Sequence, residues 1–264
     1  MTSYLDRYLA GACEQVWRDL TRLGEQVGTG SVQADARAVA RETMRRARHN
    51  IEVLIPRLHR AGYAFGFRAL GLEETLPGFA ERYRVFAPPP PEIGRQLDAL
   101  EKRAGILPLS LAAWYEAVGE VNFVGRPPDS WYLRPRALDP FQVHPFELVV
   151  KFYDEWLKEQ TYSFSLRADE KDADEIAYFS QVRLEIMLDV DTKLGDSGLG
   201  GYQVIVPSLA ADAPLLGHIQ HLSFLDYVRL SCRWGGFPGL EFERALPEPV
   251  EELVQSLTTG LLPL

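Results

Sequence analysis

The sequence predicts an α+β protein, a mostly antiparallel sheet packed by helices and preceded by an α-helical hairpin. Three observations predict it. Apolar residues recur at three- and four-residue spacing through most of residues 4–58, the mark of amphipathic helices. Residues 105–125, GILPLSLAAWYEAVGEVNFVG, read as a helix end, a Pro-containing link, an apolar helix, a glycine and a strand. Residues 176–190 alternate apolar and polar side chains, the period of a half-buried strand.

Taken in order, Tyr4, Leu5, Tyr8, Leu9, Ala12, Cys13, Val16, Trp17, Leu20 and Leu23 form one apolar stripe. They predict a single long helix ending near Gly24–Gly30. A second helix begins near Ser31, carries Val32, Ala36, Val39, Ala40, Met44, Ala47, Ile51, Leu54, Ile55 and Leu58, and is capped by Gly62. Pro56 removes one backbone hydrogen bond and should kink it. Two long helices cannot bury both stripes alone, so the hairpin must dock on the rest of the chain or form a homodimer contact with a second copy. The outer face of the second helix carries Arg37, Arg41, Arg45 and Arg48, with Arg46 beside them. Without aromatic interleaving it reads as a solvated face balanced by Glu42 and Glu52, not as a nucleic-acid contact.

Tyr63–Arg68 suits a short strand, and FAPPPPE at 86–92 is extended and stiff. That segment divides a helical hairpin region, 1–84, from an α+β domain, 85–264. Pro91 and Glu92 open a helix with Ile93, Leu97, Leu100 and Ala104 on one stripe. Ser110 is expected to N-cap the next helix, which carries Leu111, Trp114, Tyr115 and Val118 and ends at Gly119. Val121, Phe123 and Val124 suit a strand. Residues 126–140, RPPDSWYLRPRALDP, form a polar loop. Phe146, Val149, Val150, Tyr153, Trp156 and Leu157 line another helix. Tyr162, Phe164 and Leu166 alternate with Ser163, Ser165 and Arg167 as a strand, and DEKDADE at 169–175 is a charged turn. Residues 176–190 are expected as one long strand with a bulge or corner near Ser180, and Gly195–Gly201 turns into a strand at Tyr202–Val206. Ser223, with Asp226 three residues on, starts a deeply buried helix that Gly235, Gly236 and Pro238 stop. Val250–Leu257 is a last short helix.

Several of these stretches together resemble the SUKH superfamily. Its opening pattern is matched by the helix Gln96–Ala104, Leu107–Pro108, the aromatic-bearing helix Leu111–Val118, Gly119 and the strand Val121–Gly125. Residues 141–157, FQVHPFELVVKFYDEWL, look like that family's strand, Pro turn and helix, and residues 218–236, HIQHLSFLDYVRLSCRWGG, like its closing helix. The resemblance covers residues 85–240. It implies a SUKH-like fold and a non-enzymatic protein-binding role, since relatives include immunity proteins that neutralise secreted toxins and fungal cell-wall regulators acting through partners. The N-terminal helices, the 126–140 loop and the 169–175 turn lie outside the matching pattern.

Charge narrows the partner class. The 264-residue chain has 28 Lys and Arg against 37 Asp and Glu, a net of −9. Residues 1–84 hold 13 against 10, net +3, and residues 85–264 hold 15 against 27, net −12. An acidic second part disfavours nucleic acid and suits a basic protein surface such as a toxin domain. It also favours solubility. The candidate partner-binding residues are Trp131 and Tyr132, aromatics on a Pro-rich loop that either anchor a partner or pack back onto the core, with the acids Asp169, Glu170, Asp172, Asp174 and Glu175. Cys13 and Cys232 read as small buried hydrophobes in a reducing compartment. The start lacks a basic, apolar leader and no run reaches membrane-spanning length, so a cytoplasmic location is expected.

Reactive motifs are weak. Gly195-Asp196-Ser197-Gly198 copies part of a serine-protease signature without a matching His motif. Asp189, Asp191 and Asp196 lack calcium-loop spacing, a polar β-turn explains them better, and His218 and His221 lack further metal ligands. No catalytic, cofactor or metal residue is therefore assigned. The alternatives are a SUKH-like scaffold or regulator unrelated to toxins, and a hydrolase with an acidic site at Glu185, Asp189 and Asp191.

Overall fold

A computed structural model describes residues 2–72, 74, 77–131, 138–166, 181–194, 201–218 and 220–264. It is a mixed α+β structure in which small antiparallel sheets pack against helices, with helices at the N-terminal end. The stripe expected as one helix over residues 4–23 is two, α1 (Tyr4–Leu9) and α2 (Cys13–Arg22). Gly11, at φ +99°, breaks them, a conformation that glycine adopts without the steric penalty of a side chain. The break lets α1 cross onto α3 (Val32–Arg60), where the Asp35 carboxylate accepts from the Tyr4 and Leu5 amides at 2.6 and 3.1 Å. Two of the unpaired amides of the first turn are thereby satisfied.

The long α3 runs through Pro56 and is the spine of the molecule. It buries Ala36, Val39, Met44, Ala47, Ile51, Leu54 and Leu58. Four of its arginines are held within the chain: Arg41 pairs with Glu116 at 2.7 Å, Arg45 and Arg46 with Glu42 at 2.7 and 2.9 Å, and Arg48 with Glu52 at 2.9 Å, while Arg37 is exposed. Asn50 exchanges two hydrogen bonds with the Leu262 backbone, at 2.9 and 2.8 Å, and ties the C-terminal segment to the spine.

Beyond α3 come β1 (Ala64–Phe65), α4 (Pro77–Glu81), β2 (Phe86–Ala87), α5 (Ile93–Ala104) and α6 (Leu109–Ala117). The strands β3 (Glu120–Asn122), β4 (Gly125–Arg126) and β5 (Gln142–Val143) follow, then α7 (Phe146–Leu166) and β6 (Val182–Leu188). The one-turn α8 (Val190–Lys193), β7 (Gly201–Val206), α9 (Phe224–Arg233) and α10 (Glu248–Thr258) come last, and short 3-10 helices join several of these elements. β1 pairs with β4, β3 lies between β2 and β5, and β6 pairs with β7, all antiparallel. The His144 amide donates to the Ile186 carbonyl at 2.8 Å, and the Leu188 amide to Gln142 Oε1 at 2.9 Å, so β5 and β6 lie edge to edge. One buried apolar cluster runs from Tyr8 to Leu264 and includes residues from both sides of the 86–92 segment.

Several local expectations are corrected. Ser110 is no cap: α6 starts at Leu109 after Pro108, and the buried Ser110 hydroxyl donates to Asp212 at 2.6 Å. Asp212 also accepts from the Leu225 amide, linking α6 to the start of α9. The strand expected at 162–167 is helical as far as Leu166, because no glycine or proline interrupts the chain after Pro145. The strand expected through Val190 stops at Leu188, where Asp189 N-caps α8 by accepting from the Thr192 amide at 2.7 Å. The β6–β7 irregularity lies between Glu185 and Met187, while Ser180 is outside the described residues. The helix expected to start at Ser223 does so, with Ser223 as the cap of Phe224–Arg233. Gly62 and Gly119, at φ +84° and +87°, end their helices as expected.

Candidate functional site: an open cleft and its buried polar wall

A cleft of about 390 Å³ opens between β3, the segment 81–84, the end of β5 and the first turns of α7. Strand periodicity builds its floor: Val121 enters the core, while Glu120 and Asn122, on the other face of β3, line the cleft. Tyr83 donates its hydroxyl to the Asn122 carbonyl at 2.7 Å, and Asn122 Oδ1 accepts from the Val124 amide at 3.1 Å. Both side chains are thus fixed by backbone groups.

Glu120 differs from them. It is 8% exposed, and its carboxylate has no hydrogen-bond or ion-pair partner among the described residues. Burial pushes its pKa up to about 7, the negative charge of Glu147 adds to the rise, and Arg84 partly offsets it. His144, at the end of β5, also lines the cleft. Burial, helped by the positive Lys193, pushes that imidazole down to about 3, so the ring is neutral at physiological pH.

Behind the cleft lies a sealed polar cluster. Lys193, with its side chain wholly removed from solvent, donates to Asp139 Oδ1 at 2.6 Å and to the Tyr227 hydroxyl at 3.1 Å. His218 Nε2 lies 4.0 Å from Asp139 Oδ2, and its ring sits 4.7 Å from that of Tyr202. Burial pushes the Lys193 ammonium below the ordinary lysine range and Asp139 opposes that fall; burial also lowers His218 and raises Tyr227. Asp139 itself has φ +41°, a left-handed conformation that Asp tolerates better than most residues. The Gln142 amide donates to the Tyr227 hydroxyl at 3.4 Å, so the residue that lines the cleft also touches the cluster behind it.

Glu185, on β6, is pushed up to about 7 by burial and by the charge of Asp189. Its carboxyl approaches His144 Nε2 at 4.0 Å. Because His144 stays neutral above about pH 3, this is a contact of a neutral imidazole and not an ion pair. Gly201 leaves room for the Glu185 side chain, which a Cβ there would meet.

Of the partner-binding candidates singled out in the sequence, Trp131 alone lies among the described residues. Trp131 is 7% exposed, with its ring 5.8 Å from Tyr63 and 5.9 Å from Phe237. Tyr132, Asp169, Glu170, Asp172, Asp174 and Glu175 lie outside the described residues, as do Gly195–Gly198. Cys13 and Cys232 are buried and not disulfide-bonded. Among the described residues no group of His, Cys, Asp and Glu is arranged to hold a metal ion, and no helix is long and apolar enough to cross a membrane. Sequence reasoning missed Glu120, Lys193 and Asp139, and took Tyr227 as packing alone. The signal for Tyr227 was its hydroxyl, since a buried phenol needs a hydrogen-bond partner.

No protein-family model, curated protein or solved structure matches the chain.

Proposed function

We propose that the chain is a non-enzymatic protein-binding module, of the kind formed by SUKH-like immunity proteins, that binds a basic toxin domain in the cytoplasm. The observation that carries this reading is Glu120, a largely buried acid that opens onto the floor of the cleft and has no partner among the described residues. A partner that brings a cationic donor to such a carboxylate forms a charge-assisted hydrogen bond in a partly desolvated site. The other buried ionisable groups behind the cleft, Lys193, Asp139 and Tyr227, already satisfy one another. The charge of residues 85–264, 15 Lys and Arg against 27 Asp and Glu, supports a positively charged partner surface. The SUKH resemblance of residues 85–240 supports the same class of role.

Affinity capture from the native host, followed by binding measurements over a range of salt, tests the reading. A basic protein whose association weakens as salt rises is the expected result. Turnover of ester, phosphoester or glycoside substrates that disappears in Glu120→Gln or Asp189→Ala would overturn it.

A further inference from the structure

Resting on that protein-binding reading, we infer that the cleft between β3 and α7 seats one basic side chain of the partner, its ammonium or guanidinium donating to the Glu120 carboxylate. The inference stands on geometry. Glu120 is more than nine-tenths buried, lines the cleft and has no partner among the described residues. Val143, Leu148 and Phe152 add apolar wall, against which the aliphatic stem of a lysine or arginine can lie while its charged head reaches the floor.

The charges around the cleft are mixed, Glu81 and Glu147 against Arg82, Arg84 and Lys151, and Glu120 is the acid on the floor. From α7, Glu147 adds a second negative charge at the rim, while Lys151 is turned to Glu155 at 3.6 Å on its own helix. From the segment before β2, Arg82 and Arg84 line the exposed rim and form no ion pair with Glu120 among the described residues. From α4, Glu81 contributes a third acid, and His144 at the end of β5 carries no charge at neutral pH. An anion would meet Glu120 and Glu147 together and raise the unfavourable energy of both. A neutral donor would satisfy one lone pair and leave the charge uncompensated. A cation does both.

Protonation of Glu120 then competes with the ligand. Its pKa of about 7 places half of the carboxyl in the neutral form near neutrality, so binding strengthens as pH rises through that value. The ligand chemistry is shared by a partner's side chain and by a free small amine or guanidine, and the two are separated below.

The probe is N-acetyl-arginine amide, compared with its neutral isostere N-acetyl-citrulline amide, and binding is followed by NMR on the full chain. The arginine probe should bind saturably and lose about tenfold in affinity per pH unit below about pH 6, and citrulline should bind at least about tenfold more weakly. Glu120→Gln should cost at least about tenfold for the arginine probe and remove its pH dependence. Should that variant not fold, Glu147→Gln replaces it, with a several-fold loss expected. Equal binding of citrulline and arginine, or arginine binding unchanged by these variants, overturns the inference. The captured partner separates the two readings. If it binds Glu120→Gln as tightly as the wild type, the cleft is not its seat and the protein-binding role stands. If the arginine probe binds with the stated dependences and no partner protein is captured, the occupant is a free small cation, and both the partner side chain and the protein-binding role are overturned.

Discussion

Lys193 and Asp139 pair at 2.6 Å with the lysine side chain fully out of solvent, joining the one-turn α8 to the segment before β5. The pair fixes the wall behind the cleft, because Tyr227 accepts from both Lys193 and the Gln142 amide. Removing one partner leaves the other buried and unpaired. Lys193→Met is therefore expected to destabilise the fold by about 3–5 kcal/mol in chemical denaturation. The double change Lys193→Met with Asp139→Asn should recover a large part of the loss. A single change costing less than about 1 kcal/mol would show that water reaches Asp139.

Gly119 allows a close approach of two chain segments. At φ +87°, a Cβ there would meet the Ala87 carbonyl oxygen across the β2–β3 pairing. Gly119→Ala combines a disfavoured conformation with a backbone clash, and should lower stability by more than about 1 kcal/mol. Gly94→Ala, where nothing lies within 4 Å and the site is helical, should be neutral or mildly stabilising and serves as the control.

The dependence of stability on pH follows from the buried titrating groups. Glu120 and Glu185 have folded-state values of about 7, above the ordinary 4.5. Their contribution is fully present below 4.5 and is lost as pH rises through about 7. His144 works in the opposite sense: held at about 3 against an ordinary 6.5, it contributes stability above 6.5 that is lost as pH falls toward 3. Melting temperatures measured across this range should decline between the ordinary carboxylate range and neutrality less steeply in Glu120→Gln than in the wild type. An identical slope in the two proteins would mean that Glu120 titrates normally.

Asn50 tests how the C-terminal segment is held. Its amide makes both hydrogen bonds with Leu262, and Asn50→Ala should cost about 1–3 kcal/mol by leaving those backbone groups unsatisfied. Hydrogen exchange should quicken at Leu262 more than in β6 and β7.

The helices were legible in the sequence because their burial follows a 3.6-residue period, as along Ala36, Met44, Ile51 and Leu58. The break at Gly11 was hidden, since the apolar stripe continues across it and only the docking of α1 on Asp35 requires the turn. Tyr162, Phe164 and Leu166 fit a strand by alternation, yet α7 extends over them because helix continuation needs no new nucleation. The cleft was hidden for a different reason. Glu120 is an ordinary acid in a short strand until β5 and α7, far along the chain, close over it. Lys193 and Asp139 are 54 residues apart, and no local pattern relates them.

The most direct measurement is an NMR titration of the Glu120 side-chain carboxyl in the free protein. A midpoint of about 7, falling when the arginine probe is added, is the predicted result. A midpoint near the ordinary 4.5 would mean a solvated or already partnered carboxylate, and would contradict the cleft as a site awaiting a cation.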